Sequence, residues 1–268
     1  MPFRLLSWCL LILALAGCST LRTMISPLPA RGVFLEREIE VDGKAYRYQV
    51  FAPARGSVEG KPPMVVFLHG SGERGSENRK QAEVGLGPYV RAHADTFPAI
   101  VVFPQAPLHA EWNQLERVVF AQMDAAMEEF GGNPDRVVLT GMSMGGYGVW
   151  DYGMRAPDRF AALVPVCGGL VHPNRPSMDV RGLAGQADPY AFVAQRVRHV
   201  PTWIFHGALD DVVLPEYSRR MAEALQAAGA ENARFTEFPD ANHNSWDAAY
   251  SRTPALWDWA FSQDRSQR

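Results

Sequence analysis

Arg136-Val137-Val138-Leu139-Thr140 reads as a short buried strand, and it runs straight into Gly141-Met142-Ser143-Met144-Gly145-Gly146. Tyr147 to Tyr152 then reads as the start of a helix. A strand that turns into a helix this abruptly leaves no room for side chains beside the turn, so the flanking positions need glycine. Such a turn pushes the serine hydroxyl clear of the sheet and points the next backbone N–H the same way. A glycine-rich turn with an ordinary serine has the same local pattern. The strand before it and the helix after it favour a nucleophile, provided the rest of the chain supplies partners.

The remaining pattern fits one α/β domain. Glu36 to Val41 and Ala45 to Phe51 alternate polar and apolar residues around Asp42-Gly43, which predicts an antiparallel hairpin at one edge of the sheet. Continuous apolar runs at 64–68, 99–103, 136–140, 160–166 and 202–205 predict strands covered on both faces. Ala233 to Phe238 alternates and reads as the last strand. Helical spacing covers Leu115 to Phe130 and Pro215 to Ala228, and a final helix begins at Pro254. Gln81 to Ala92 is a helix candidate broken by Gly85, Gly87 and Pro88. Residues 170–199 are irregular, with a short helix expected near 190–198. Strands alternating with helices predict a mainly parallel, twisted sheet with helices on both faces. At 268 residues and 47% hydrophobic, the chain is long enough for one large core. A formal charge of −3 gives no electrostatic case for nucleic acid.

The N-terminus reads separately. Met1 to Arg4 carries a positive charge, and Leu5 to Ala16 is apolar except for Ser7. That run is shorter than the about 20 residues a spanning helix needs and fits the core of a secretory signal. Leu15-Ala16-Gly17-Cys18 follows and resembles the bacterial lipoprotein lipobox, which implies cleavage before Cys18 and lipidation of it. With Ser19 next, the resemblance implies an outer-membrane anchor in a Gram-negative cell envelope. The expected organisation is a signal at 1–17, a lipidated tether at 18–32 and a catalytic domain at 33–268. Cys9 would leave with the signal, so Cys167 would be the one free thiol, a small buried residue with no histidine near it in sequence.

A serine hydroxyl needs a base, usually histidine, and a carboxylate to orient that base. Of the four histidines after Ser143, His206 ends a strand in an apolar context and reads as a buried hydrogen-bonding residue. His172 lies in the irregular segment and His199 before a strand. His243 lies in a polar loop directly after the last strand, at the sheet edge where the serine turn also emerges, and is the candidate base. The acid is expected in the loop after strand 202–205, where either Asp210 or Asp211 could serve. Oxyanion donors are expected from the N–H of Met144, at the start of a helix, and from the N–H of Ser71 in His69-Gly70-Ser71-Gly72.

Together, His69 to Gly75, Val102 to Pro107, Gly141 to Gly148 with Trp150-Asp151, His206 to Asp211, and His243 with Ser245-Trp246-Asp247 resemble the α/β-hydrolases. The nearest likeness is to the bacterial predicted-peptidase, phospholipase/carboxylesterase-like group, near the polyhydroxybutyrate-depolymerase and feruloyl-esterase branches. The resemblance implies the α/β-hydrolase fold, a serine hydrolase without metal or cofactor, and a small-molecule ester as substrate. Its Gly-x-x-Asp-x-x-Val spacing selects Asp210. Trp112 and Trp246 are candidate pocket residues, and Glu73 with Arg74 a candidate ion pair fixing the oxyanion loop. Segment 170–199 is longer than the group's usual link. Two alternatives stand beside the esterase: a peptidase acting on short peptides, and a non-catalytic envelope lipoprotein that binds through the same fold. The roughly 110 residues before the serine turn are too few for a propeller of blades of about 40–45 residues each.

Overall fold

The computed structural model describes residues 25–268. The expected signal, Cys18 and the first part of the tether lie outside the described residues. In chain order the elements are β1 (Val33–Val41), β2 (Lys44–Ala52), β3 (Met64–Leu68), α1 (Leu86–Ala92), β4 (Ile100–Pro104), α2 (Glu116–Phe130), β5 (Val137–Met142), α3 (Met144–Arg155), β6 (Ala162–Val166), α4 (Pro189–Val197), β7 (Thr202–Gly207), α5 (Pro215–Ala227), β8 (Ala233–Phe238), α6 (Trp246–Ser251) and α7 (Ala255–Phe261). They build one eight-stranded sheet in the order β1-β2-β4-β3-β5-β6-β7-β8. β1, β2 and β4 pair antiparallel, and every pair from β4–β3 to β7–β8 is parallel.

The central strands carry apolar residues on both faces because helices cover both. Met64, Val66 and Leu68 of β3 pack in one cluster with α2, α3, α4 and α5. Val65 and Phe67 of the same strand pack in the other with α1, α6 and α7. β1 lies at the open edge and alternates instead; Glu36, Glu38 and Glu40 punctuate it, and such charges discourage edge-to-edge association.

The structure adjusts three expectations. The hairpin is longer than its alternation suggested, and Gln81–Ala92 divides into a short 3-10 turn at Lys80–Ala82 and α1, with Gly85 between at φ 68°. A helix at Trp246–Ser251 is present where no periodicity announced one. The chain before β1 lies against the domain. The Ser26 N–H donates to Glu129 O at 2.7 Å, and the Arg55 N–H to Pro29 O at 2.7 Å. Glu129 stands in the last turn of α2, where carbonyls lack helical partners, so the passing chain satisfies one.

Candidate active site

Ser143 sits at φ 53° and ψ −119°, between β5 and α3. A side-chain-bearing residue held at such a φ costs on the order of 1–3 kcal/mol, and the surroundings hold it there. Its N–H donates to Val166 O on β6 at 3.0 Å, and its carbonyl accepts from the Gly146 N–H at 2.8 Å. A Cβ on Gly145 would lie 1.9 Å from Leu68 O, so only glycine lets α3 start this close to β3.

The candidate partners converge on Ser143 from the carboxyl ends of β7 and β8. His243 Nε2 is 2.9 Å from Ser143 Oγ, and His243 Nδ1 is 2.8 Å from Asp210 Oδ2. Asp210 Oδ1 accepts from the N–H groups of Val212 and Val213, both at 2.9 Å. The two loops are stitched together: the Ala208 N–H donates to Phe238 O and the Leu209 N–H to Ala241 O, each at 2.9 Å. Gly207 permits this, since a Cβ there would lie 2.3 Å from Asn242 O. Asp210 is the aspartate in contact with His243, and Asp211 is exposed.

Asp210 is buried, which by itself opposes ionisation. Hydrogen bonds from His206, His243 and the Val213 N–H outweigh burial and hold its carboxyl well below the usual carboxylate range. The His206 contribution was not foreseen. Its Nε2 is 3.1 Å from Asp210 Oδ2 and 2.8 Å from Val213 O, and its Nδ1 is 2.7 Å from Ser218 Oγ. With two acceptors at Nε2, that nitrogen carries the proton and Nδ1 accepts from the serine hydroxyl. His206 is thus a buried hydrogen-bonding residue as expected, but one that fixes the acid. The cue was its position four residues before Asp210.

Cys167 is buried as expected and yet adjoins the triad in space. Its Sγ, an Asp210 carboxylate oxygen and a His243 ring nitrogen all lie within 4.8 Å of one another. No sequence spacing could show this, because the contact crosses from β6 to β7 and β8. A cation could draw on these three atoms only by breaking the Asp210–His243 hydrogen bond, and burial pushes the thiol up to about 12.

Ser71 shares the cleft with Ser143, and Met144 follows Ser143 in the chain. Ser71 opens a 3-10 turn after β3 and Met144 is the first residue of α3, so neither N–H has a partner within its own helix. Ser71 lines the cleft, whereas the Met144 side chain points into the core and offers only its N–H. The oxyanion loop is held from below. His69 Nδ1 donates to Gly70 O at 2.6 Å, and its Nε2 accepts from the Ala106 N–H at 3.0 Å. Burial lowers the His69 pKa from the ordinary 6.5 to about 4, so the ring is neutral.

Trp112 does not line the pocket. It is 1% exposed, and its Nε1 donates to His69 O at 2.9 Å, so it supports the oxyanion loop from the core. Trp246 does line the cleft, edge-on to the His243 ring at 5.6 Å. Glu73 and Arg74 do not pair as expected. Arg74 turns to Glu111, with Nη1 3.4 Å from Oε1, while its Nε donates to Ser71 O at 3.1 Å. Glu73 faces the cleft, where burial raises its carboxyl pKa.

The cleft encloses about 340 Å³. Part of its wall comes from the segment after β6, through His172, Arg175 and Met178. That segment is packed down rather than raised: Leu170, Met178, Val180 and Leu183 are buried. Arg181 pins it, donating from its backbone N–H and its guanidinium to the buried Asp151. α4 follows as the expected short helix.

The fold is that of the α/β-hydrolases. A thermostable esterase of known structure matches at a TM-score of 0.68 and 28% identity, over 86% of this chain and 63% of that one, so this chain spans under two thirds of that esterase. The fluorophosphonate-binding serine hydrolase F of Staphylococcus aureus matches at 0.66 and 18%, over 86% and 98% of the two chains. An acylaminoacyl peptidase of Pyrococcus horikoshii matches at 0.65 and 15%, over 88% and 42%. The Prolyl oligopeptidase family model matches residues 177–265, the part that carries Asp210 and His243. No curated protein sequence matches the chain.

Proposed function

We propose that this protein is a serine hydrolase of carboxylic esters that works through an acyl-enzyme. The observation that carries the reading is the unbroken chain from Ser143 Oγ to His243 Nε2 at 2.9 Å and from His243 Nδ1 to Asp210 at 2.8 Å, on a serine held at φ 53°. His243 takes the Ser143 proton as Oγ attacks the ester carbonyl. Asp210 keeps Nδ1 protonated and stabilises the imidazolium that forms. The N–H groups of Ser71 and Met144 receive the oxyanion, each worth roughly 2.7–4 kcal/mol of transition-state stabilisation. His243 then returns its proton to the departing alcohol, and water releases the acyl group by the same steps.

Peptide hydrolysis is the second reading, favoured by the family model over residues 177–265. A panel of p-nitrophenyl esters beside aminoacyl-p-nitroanilides separates the two. The ester reading expects turnover of the esters that is lost in His243→Ala. Turnover of the anilides alone, or full activity in His243→Ala, would contradict it. We further propose that the domain works outside the cytoplasm, held at the bacterial envelope by a lipid on Cys18.

A further inference from the structure

The cleft has two chemically different sides. His243 Nε2 must reach the leaving oxygen to protonate it, so the alcohol part of an ester lies on the His243 side. Trp246 lies edge-on to the His243 ring and Val212 and Val213 donate to the Asp210 that contacts it, and all three line the cleft. The acyl part extends the other way, past the Ser71 N–H, where Arg175 Nη1 stands 3.3 Å from Ser71 Oγ and His172, Met178 and Glu73 also line the cleft.

Glu111 Oε1 accepts from Arg175 Nη2 at 2.6 Å and from Arg74 Nη1 at 3.4 Å, so one carboxylate serves two guanidinium groups. The Glu111 side chain is only 7% exposed, which fixes this arrangement inside the protein. The Arg175 side chain is 38% exposed and reaches the cleft, with Nη1 3.3 Å from Ser71 Oγ. A guanidinium carries five N–H donors, and these contacts leave some of them free. Two other acids lie near. Asp179 is turned onto the His172 backbone N–H at 2.8 Å. Glu73 also lines the cleft, and burial raises its carboxyl pKa.

We propose that Arg175 reads a negative charge on the acyl part of the substrate, which makes the preferred substrate a half-ester of a dicarboxylic acid with an apolar alcohol. The proposal rests on the ester-hydrolase reading. The free carboxylate, a few methylenes beyond the ester carbonyl, meets the guanidinium as the carbonyl oxygen meets the Ser71 N–H. Trp246 and the two valines then take the alcohol.

The test compares kcat/KM for p-nitrophenyl hemiglutarate with that for p-nitrophenyl valerate, after subtraction of spontaneous hydrolysis. The two acyl chains have equal length and differ in the terminal charge. The wild type should prefer the hemiglutarate, and added salt should weaken the preference. In Arg175→Gln the ratio of the two kcat/KM values should fall by about tenfold, the scale of one hydrogen bond to a charged group, and Arg175→Lys should restore part of it. Equal use of both esters by the wild type, or an unchanged ratio in Arg175→Gln, would overturn the proposal and leave the hydrolase reading intact. Turnover of neither ester, together with no reaction with a fluorophosphonate, would remove the hydrolase reading and this proposal with it.

Discussion

At the residue scale, the site depends on a serine kept where serine is unfavourable. Ser143 is one of four non-glycine residues with positive φ among the described residues, and Cys167 beside it is another. Alanine at 143 would remove the hydroxyl and keep the strain. Glycine would remove both, at an entropic cost of about 0.5–1 kcal/mol. Ser143→Gly should therefore be more stable than Ser143→Ala by about 1 kcal/mol, and both should be inactive. Urea denaturation of the pair checks this, and equal or reversed stabilities would mean that the turn is unstrained. Cys167 shows the other side of the same crowding. Its φ of 42° turns the chain as it leaves β6, and its thiol lies beside Asp210 and His243.

At the element scale, loops at the carboxyl ends of β3, β5, β7 and β8 each bring one part of the site. The sequence announced most of this, because each loop follows a strand whose apolar run is visible and each carries a residue type the chemistry requires. Ser143 and His243 were legible for that reason, whereas the residues alone left Asp210 and Asp211 open and only the resemblance's spacing singled out Asp210. What was not legible depends on contacts between elements. Trp112 reads in sequence as an aromatic beside a loop, yet the position of α3 buries it under His69. Arg74 has Glu73 as its neighbour in sequence, but the oxyanion loop folds so that Glu111 is the closer carboxylate. The helix at Trp246–Ser251 is too short to show a period.

His69 links the oxyanion loop to the loop after β4 and gives that junction a pH dependence. Its pKa in the folded protein is about 4, below the ordinary 6.5 of an exposed histidine. Between those values the unfolded chain binds the proton and the folded protein does not, so stability falls as pH falls. The contribution is whole above pH 6.5 and is lost by about pH 4, an amount on the order of 3 kcal/mol. In His69→Gln that share of the slope should be missing. Denaturation curves of the two proteins across this window check it, and parallel slopes would contradict a neutral, buried His69.

At the scale of the whole molecule, the catalytic edge is also an apolar one. Leu209, Val212 and Leu214 on the loop after β7 and Val171 on the segment after β6 are exposed, and Val212 lines the cleft. An apolar rim suits substrates with apolar alcohols. The proposed anchor belongs to the same scale. If Cys18 carries lipid, the wild-type protein should fractionate with membranes and take up labelled palmitate in a bacterial host, while Cys18→Ala should take up none. Uptake of label by Cys18→Ala, or a wild-type protein that is wholly soluble, would contradict the anchor.

The central claim is that Ser143 is a nucleophile activated by His243. A fluorophosphonate probe reads this directly, since it forms a covalent bond only with an activated serine. Intact mass should show one adduct on the wild-type protein, and peptide mapping should place it on Ser143. Ser143→Ala should show none, and His243→Ala should react slower by orders of magnitude. A wild-type protein that does not label, or an adduct that persists in Ser143→Ala, would contradict the account.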